Sequence, residues 1–305
     1  MNKYTKINGI LLVNKPSGFS SNKILQIVKK ILNIEKAGHT GSLDPLATGM
    51  LPICCGEATK FAQFLINASK SYRVIAKLGK TTNTSDSEGK VIKVRIVNFM
   101  LSRLFEILNS FHGDINQIPS MYSAIKYKGQ PLYKYARKGI LIPRKSRKIT
   151  IYKLKYISYD NFCLVLDVIC SKGTYIRTLI EDIGEALGCG AHVIQLNRIQ
   201  VGNYPISKMI TLNYLKLLCT YDKNFFLQEL HKILIPLDFP VLMFPEINLC
   251  IKNSIKIRNG EKIKFFCDLK SPFFRITEGI NKNFIGLGKI NEYQELLPYR
   301  LIVNN

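Results

Sequence analysis

Hydrophobic positions recur at helical spacing in NKILQIVKKIL (residues 22–32), where Ile24, Ile27, Val28, Ile31 and Leu32 share one face and Lys23, Lys29 and Lys30 lie away from it. Ser20 or Ser21 is placed to cap that helix, because a serine oxygen there accepts an otherwise orphaned backbone N–H. The period changes at YRVIAKLG (72–79): Tyr72, Val74, Ala76 and Leu78 alternate with Arg73 and Lys77, which predicts a strand with one buried face. TTNTSDSEG follows as a polar loop ending at Gly89, and KVIKVRIV predicts a second strand. Alternation returns at Phe162, Leu164, Leu166 and Val168, then SKGT reads as a turn. Ile176, Leu179, Ile180, Ile183 and Leu187 mark an amphipathic helix that Gly188 stops. Helices and strands alternate irregularly and no internal repeat is visible, so the class expected is α+β rather than a doubly wound α/β fold.

Two stretches break this pattern. Residues 120–150 (MYSAIKYKGQPLYKYARKGILIPRKSRK within them) interleave tyrosines with lysines and arginines. Such a segment suits a nucleic-acid strand, with bases stacking and phosphates neutralised, or else forms a solvated basic connector. PLDFPVLMFP (236–245) holds three prolines and predicts a boundary between a large unit, 1–240, and a small one, 246–305. In the small unit KIRNGEKIKFF, FFRITE and FIGLGKI read as short strands separated by turn residues, and a small β-barrel is expected.

The chain has 305 residues, 47% hydrophobic and 21% charged, which supports a packed core and argues against wholesale disorder. No apolar run reaches the roughly 18 residues of a membrane span, and no signal peptide is read at the start, so a cytoplasmic protein is expected. Lys and Arg number 44 against 21 Asp and Glu, a net charge of +23. That balance favours a polyanionic partner, since each cation set on a phosphate releases a condensed counterion; an AT-rich genome would also inflate lysine. Eight cysteines, at 54, 55, 163, 170, 189, 219, 250 and 267, form no Cys-x-x-Cys pair and read as buried free thiols. No metal and no cofactor is expected.

Against this excess of cations, AGHTGSLDPLATGMLPICCGEATKF (37–61) places its one aspartate, Asp44, in a Gly/Pro-rich turn. Pro45 fits the first position of a helix, so Asp44 could be an N-cap; it could equally do chemistry. Gly38, Gly41 and Gly49 allow sharp bends and close approach of a ligand, and His39 adds a second polar group, unless it is a core histidine. The phosphate-loop pattern G-x-x-x-x-G-K-[ST] is absent, which excludes that class of NTPase site. Arg177 falls in the first turn of the helix after SKGT, where the macrodipole disfavours a cation. A carboxylate would relieve that cost; Asp44 is one candidate partner, and an unpaired surface arginine is the alternative.

These residues resemble a known family. GHTGSLDPLATGMLPICCGEATKF is similar to the signature segment of the TruB-type tRNA pseudouridine synthases, which isomerise uridine 55 in the T arm of tRNA. NKPSGFSS, SYRVIAKLGKTTNTSDSEG, QIPSMYSAIKYKGQPLYKYARKG and CSKGTYIRTLIEDIGEALGCGAHVIQLNRIQVG resemble its other motifs, in family order. FFRITEGINKNFIGLGKINEYQELLPYRLIV resembles the end of a PUA domain, a small RNA-binding β-barrel; 246–270 departs from the family pattern.

The resemblance implies a mixed, largely antiparallel sheet flanked by helices, with 120–150 as a basic RNA-contacting insertion and 246–305 as a PUA-like RNA-binding domain. It puts Asp44 at the position of the catalytic aspartate, Tyr72 where a tyrosine packs on the target base, and Arg177 where an arginine pairs with the aspartate. His39, Tyr175 and Leu196 match positions that contact the extruded nucleotide, and Asp86 matches one near the cleft. Arg177 is expected to hold Asp44 ionised by lowering its pKa. The implied partner is tRNA, with no protein partner, and the chain is expected to act as a monomer. A non-catalytic tRNA-refolding chaperone is the competing function, and a basic protein whose charge reflects genome composition is a third.

Overall fold

The computed structural model describes residues 5–266 and 270–303. Nine strands build one sheet: β1 (Gly9–Lys15), β2 (Ala37–His39), β3 (Thr48–Cys55), β4 (Lys70–Leu78), β5 (Gly113–Gln117), β6 (Arg147–Asp160), β7 (Cys163–Cys170), β8 (Ala191–Val201) and β9 (Met209–Thr211). Their order is β9-β1-β3-β8-β4-β7-β6-β5, with β2 added against β3. Only β1/β9 and β3/β8 are parallel, so the sheet is mixed and largely antiparallel. On β4 the alternation read from the sequence holds: Tyr72, Val74, Ala76 and Leu78 are buried and Arg73 faces solvent.

That buried face packs with Leu164, Leu166 and Val168 of β7 against α3 (Ile176–Ala186) and α2 (Leu101–Ser110), whose apolar stripes complete the main core. Towards the β1 side, a separate core joins Leu11, Val13, Leu51 and Ile53 to α1 (Ser21–Leu32), α4 (Leu212–Leu218) and α5 (Lys223–Ile233). Ser20 caps α1, its side chain accepting from the Lys23 N–H at 3.2 Å.

Five further strands, β10 (Glu246–Leu249), β11 (Ile263–Lys264), β12 (Phe274–Glu278), β13 (Asn283–Ile290) and β14 (Glu295–Leu301), form a second sheet in the order β10-β12-β13-β14-β11, curled into a half-barrel around Ile247, Ile257, Phe274, Ile276 and Leu296. The two sheets share a small apolar seam. Phe61 packs edge-on to Phe284 at 5.3 Å, with Val241 and Leu287 beside them. Lys60 Nζ donates to the Leu301 carbonyl at 2.7 Å, and the Val303 N–H donates to Glu57 at 2.8 Å.

Several local expectations give way. Phe162 lies outside β7, exposed, with φ +62°, because the two-residue turn that joins β6 to β7 takes it. KVIKVRIV yields only Val91–Val94, all exposed and paired with Lys80–Thr82 alone among the described strands. The first residues of KIRNGEKIKFF end a helix, α6 (Ile251–Arg258), and only Ile263–Lys264 of that stretch is strand. Cys54, Cys55, Cys170 and Cys189 are buried free thiols, but Cys219 and Cys250 are exposed; Cys267 lies outside the described residues. Among the described residues no helix is long and apolar enough to cross a membrane.

Candidate active site

Asp44 caps no helix. Its carbonyl accepts from the Ala47 N–H at 3.1 Å in a turn that leads into β3. That turn is moored from several directions. Ser21 accepts from the Leu43 N–H at 2.7 Å and donates to the Leu43 carbonyl at 3.0 Å. The Lys15 ammonium, at the end of β1, donates to the carbonyls of Pro16, Phe19 and Pro45 at 2.9, 2.6 and 3.1 Å. Arg198 of β8 donates to the Gly41 carbonyl at 3.0 Å, and Gly41 takes φ +82°, a conformation that favours glycine.

The Asp44 carboxylate meets Arg177 in a two-point pair, Nε to Oδ2 at 2.9 Å and Nη2 to Oδ1 at 3.2 Å. Arg177 also donates from Nη1 to Asp86 Oδ2 at 3.0 Å and to the Thr84 carbonyl at 2.9 Å, and from Nη2 to the Tyr122 carbonyl at 2.9 Å. All five guanidinium N–H groups are therefore engaged, which a planar fork of fixed geometry achieves only where acceptors are preplaced. Two carboxylates offset the unfavourable position of a cation in the first turn of α3. Arg177 and Asp86 are buried, whereas the Asp44 side chain keeps 38% of its surface exposed and so remains within reach of a ligand.

A cavity of about 510 Å³ opens on this carboxylate, and its walls include Tyr72, Tyr175, Arg177 and Leu196 as well as Asp44. Five of the six residues singled out from sequence thus meet. His39 does not line this cavity; it ends β2, half-buried, with Nδ1 buried and unbonded. Burial and the nearby Arg198 charge hold the His39 imidazole below its usual pKa. Burial also raises both tyrosine phenols, with the Arg198 charge opposing the shift at Tyr72 and the Arg147 charge opposing it at Tyr175. Asp44 departs from expectation. Burial raises its carboxyl above the ordinary aspartate value; Arg177 pulls it down and the Asp86 charge pushes it up, and the net direction is upward.

The chain matches the TruB family pseudouridylate synthase N-terminal domain over residues 29–176. It also matches the tRNA pseudouridylate synthase B C-terminal domain over 177–241 and the Pseudouridine synthase II TruB C-terminal domain over 245–302. It is 57% identical over 304 residues to the tRNA pseudouridine synthase B of Buchnera aphidicola subsp. Baizongia pistaciae, covering 99% of both chains. The chain belongs to the TruB family of pseudouridylate synthases. It is also 49% identical to the tRNA pseudouridine synthase B of Escherichia coli K12, covering 97% of this chain and 96% of the relative. Among solved structures, an archaeal box H/ACA sRNP Nop10–Cbf5 complex shares the fold at a TM-score of 0.71 and 22% identity, with 96% of this chain and 86% of that chain covered.

In this TruB-family chain several residues that support the site carry no sequence signal of their own. Gln117 of β5 accepts from the Tyr175 N–H at 2.8 Å and donates to the Tyr175 carbonyl at 3.1 Å, taking the place of a side-chain cap at the start of α3. Lys15 and Arg198 act on carbonyls that only the tertiary fold brings near. Asp86 was readable as a loop carboxylate, yet its bond to Arg177 depends on Ser85–Ser87 docking on Val193 of β8. The 120–150 stretch folds into a short hairpin, Lys126–Tyr127 with Gln130–Pro131, and a helix, Leu132–Ala136; Met121, Ser123 and Leu132 are buried while most of its cations are exposed. Among the described residues no group of His, Cys, Asp or Glu is arranged to hold a metal ion.

Proposed function

We propose that this enzyme converts uridine 55 in the T arm of tRNA to pseudouridine. The reading is carried by one observation: a single carboxylate, Asp44, fixed by Arg177 and partly open to a cavity walled by Tyr72, Tyr175 and Leu196. A relative 57% identical over nearly the whole chain is named for pseudouridine synthesis in tRNA, and the net charge of +23 suits that substrate.

Pseudouridine formation breaks the C1′–N1 bond, turns the base, joins C1′ to C5 and moves the C5 proton, in net terms, to N1, with no net redox change. A carboxylate serves this sequence by attacking C1′ or by removing the C2′ proton, and the raised pKa of Asp44 makes it the stronger base. The target base must first leave its stack, at a few kcal/mol; packing against Tyr72 and Tyr175 offsets that. His39, beside the aspartate turn, is suited to contact the backbone vacated by the base. The basic 120–150 segment and the C-terminal half-barrel would hold the remainder of the RNA. One chain supplies all these groups, so a cytoplasmic monomer suffices. Incubation with an unmodified T-arm stem-loop and mapping of pseudouridine tests the reading. Conversion at position 55 alone is expected; an untouched stem-loop, or conversion spread over other uridines, would overturn it.

A further inference from the structure

Of the cations in the walls of the Asp44 cavity that take no part in the chemistry above, Arg147, Lys148 and Lys172 are exposed and two are buried. Lys70 and Arg198 both line it, and both are buried. Lys70 Nζ donates to the carbonyls of Ile66 and Ala68 at 2.9 and 2.6 Å. Arg198 Nε donates to the Met50 carbonyl at 2.8 Å and Nη2 to that of Gly41 at 3.0 Å. The contrast with Arg177 is sharp: that guanidinium has two carboxylates, whereas Lys70 and Arg198 are held by neutral carbonyls. Burying an ion without a counter-ion is costly, and carbonyl dipoles offset part of that cost.

The space beside them is open for a reason. A Cβ built on Gly41 would lie against Arg198 Nη1 at 3.5 Å and the Lys70 stem, at Cε, at 3.9 Å, so the glycine keeps a side chain off this part of the wall. Gly41, Asp44 and the two cations line the same cavity.

We propose that Lys70 and Arg198, beneath Gly41, receive a backbone phosphate of the extruded nucleotide, a phosphodiester anion supplied by the RNA. The inference rests on the function proposed above and adds the feature of the substrate that this part of the cavity recognises. The free protein is prepared for it electrostatically. Burial and then the Arg198 charge lower Lys70 to about 8, with Cys170 of β7 opposing the shift and Lys172 in the following turn adding to it. The Cys170 thiol is itself raised to about 11, so it supplies no anion near neutrality. A phosphate against the ammonium favours its charged form, so RNA binding above pH 8 takes up a proton at Lys70.

The test uses the full chain carrying Asp44→Asn, so that no product forms, and T-arm stem-loops with a neutral methylphosphonate at the linkage 5′ or 3′ of the target uridine. One of the two substitutions is expected to weaken binding about tenfold, the loss of a charge-assisted contact. Adding Lys70→Met is expected to remove that penalty, since the cation has already gone. Calorimetry at pH 8.5 in two buffers of different ionisation enthalpy is expected to show proton uptake on binding, and none with Lys70→Met. Equal penalties with and without Lys70, or no proton uptake, would overturn the subsite. The methylphosphonate comparison changes only the RNA, so it stands even if Lys70→Met folds poorly: two linkages with no effect on binding also defeat the proposal. Failure of the unaltered protein to convert the stem-loop is a separate result and counts against the function, not against this contact.

Discussion

The groups that fix Asp44, Arg177 and Asp86, are buried and paired, whereas two of the lysine pairs of the C-terminal half-barrel stand at its rim. Arg177 spends five donors on four residues inside the protein. In the second sheet Lys262 pairs with Glu295 and Lys282 with Glu246, and both lysines are more than half exposed. Rim pairs of this kind contribute little to stability and are screened by salt. The cleft is thus braced by buried pairs, and the second sheet carries pairs that face solvent and is held in place by apolar packing at the seam. The proposed function would give chemistry to the first region and grip to the second, and the following measurements separate them.

Asp44→Asn gives the largest effect. Pseudouridine formation is expected to fall at least ~10³-fold, while affinity for the stem-loop stays within about threefold. Single-turnover rates and equilibrium binding measured on the same preparation check this; a comparable turnover would end the case for Asp44 as the catalyst. Arg177→Met strands the buried Asp86 and frees Asp44. A loss of about 3–5 kcal/mol in denaturant unfolding is expected, together with loss of turnover, because removing one partner of a buried pair leaves an uncompensated charge. Phe61→Ala probes the other region. It opens a cavity where the ring met Phe284 and Leu287, for about 3 kcal/mol, and should weaken RNA binding more than the rate at saturating RNA. An unaltered binding constant would show that the seam does not orient the second sheet.

The smallest effect is in pH. Asp44 is raised by burial, whereas a hydrogen bond from Asn291 and then Lys262 lower Glu295. Turnover that needs the Asp44 carboxylate should therefore fall, on acidification, with a midpoint above the ordinary aspartate range. The signs for stability are opposite. Asp44 binds its proton more tightly folded than unfolded, so its contribution declines as pH rises through that raised value; Glu295 stabilises above its unfolded value and loses this as pH falls. A rate profile with an ordinary aspartate midpoint would place Arg177, not burial, in control of Asp44.

Much of this was legible where local rules and tertiary structure agree. The alternation of Tyr72, Val74, Ala76 and Leu78 and the stripe from Ile176 to Ile183 became strand and helix because one face of each had a core to meet. Phe162 was misread because a turn residue extended an apolar alternation by one place. The helix Ile251–Arg258 escaped because it buries only Ser254 and Ile257 and has no side-chain cap, so its pattern carries almost no period. For Asp44 the local rules left two roles open, cap or chemistry. The turn it occupies removes the cap, and the proposed chemistry rests on the neighbourhood of β4 and β8, which brings Leu196 and Arg198 to the cleft through pairing with Val74 and Tyr72. Gln117, Lys15 and Arg198 could not be assigned from sequence, because backbone carbonyls look alike until the chain is folded.

The moorings of the aspartate turn also bear on how the protein is made. The Gly41 carbonyl waits for Arg198, 157 positions later, and the Asp44 carboxylate waits for Arg177, 133 positions later. A nascent chain that has left the ribosome only as far as β7 already carries its acid but neither guanidinium. On the proposed function, a fragment released before that point would hold the acid without the partner that fixes it and would be expected to leave the glycosidic bond untouched.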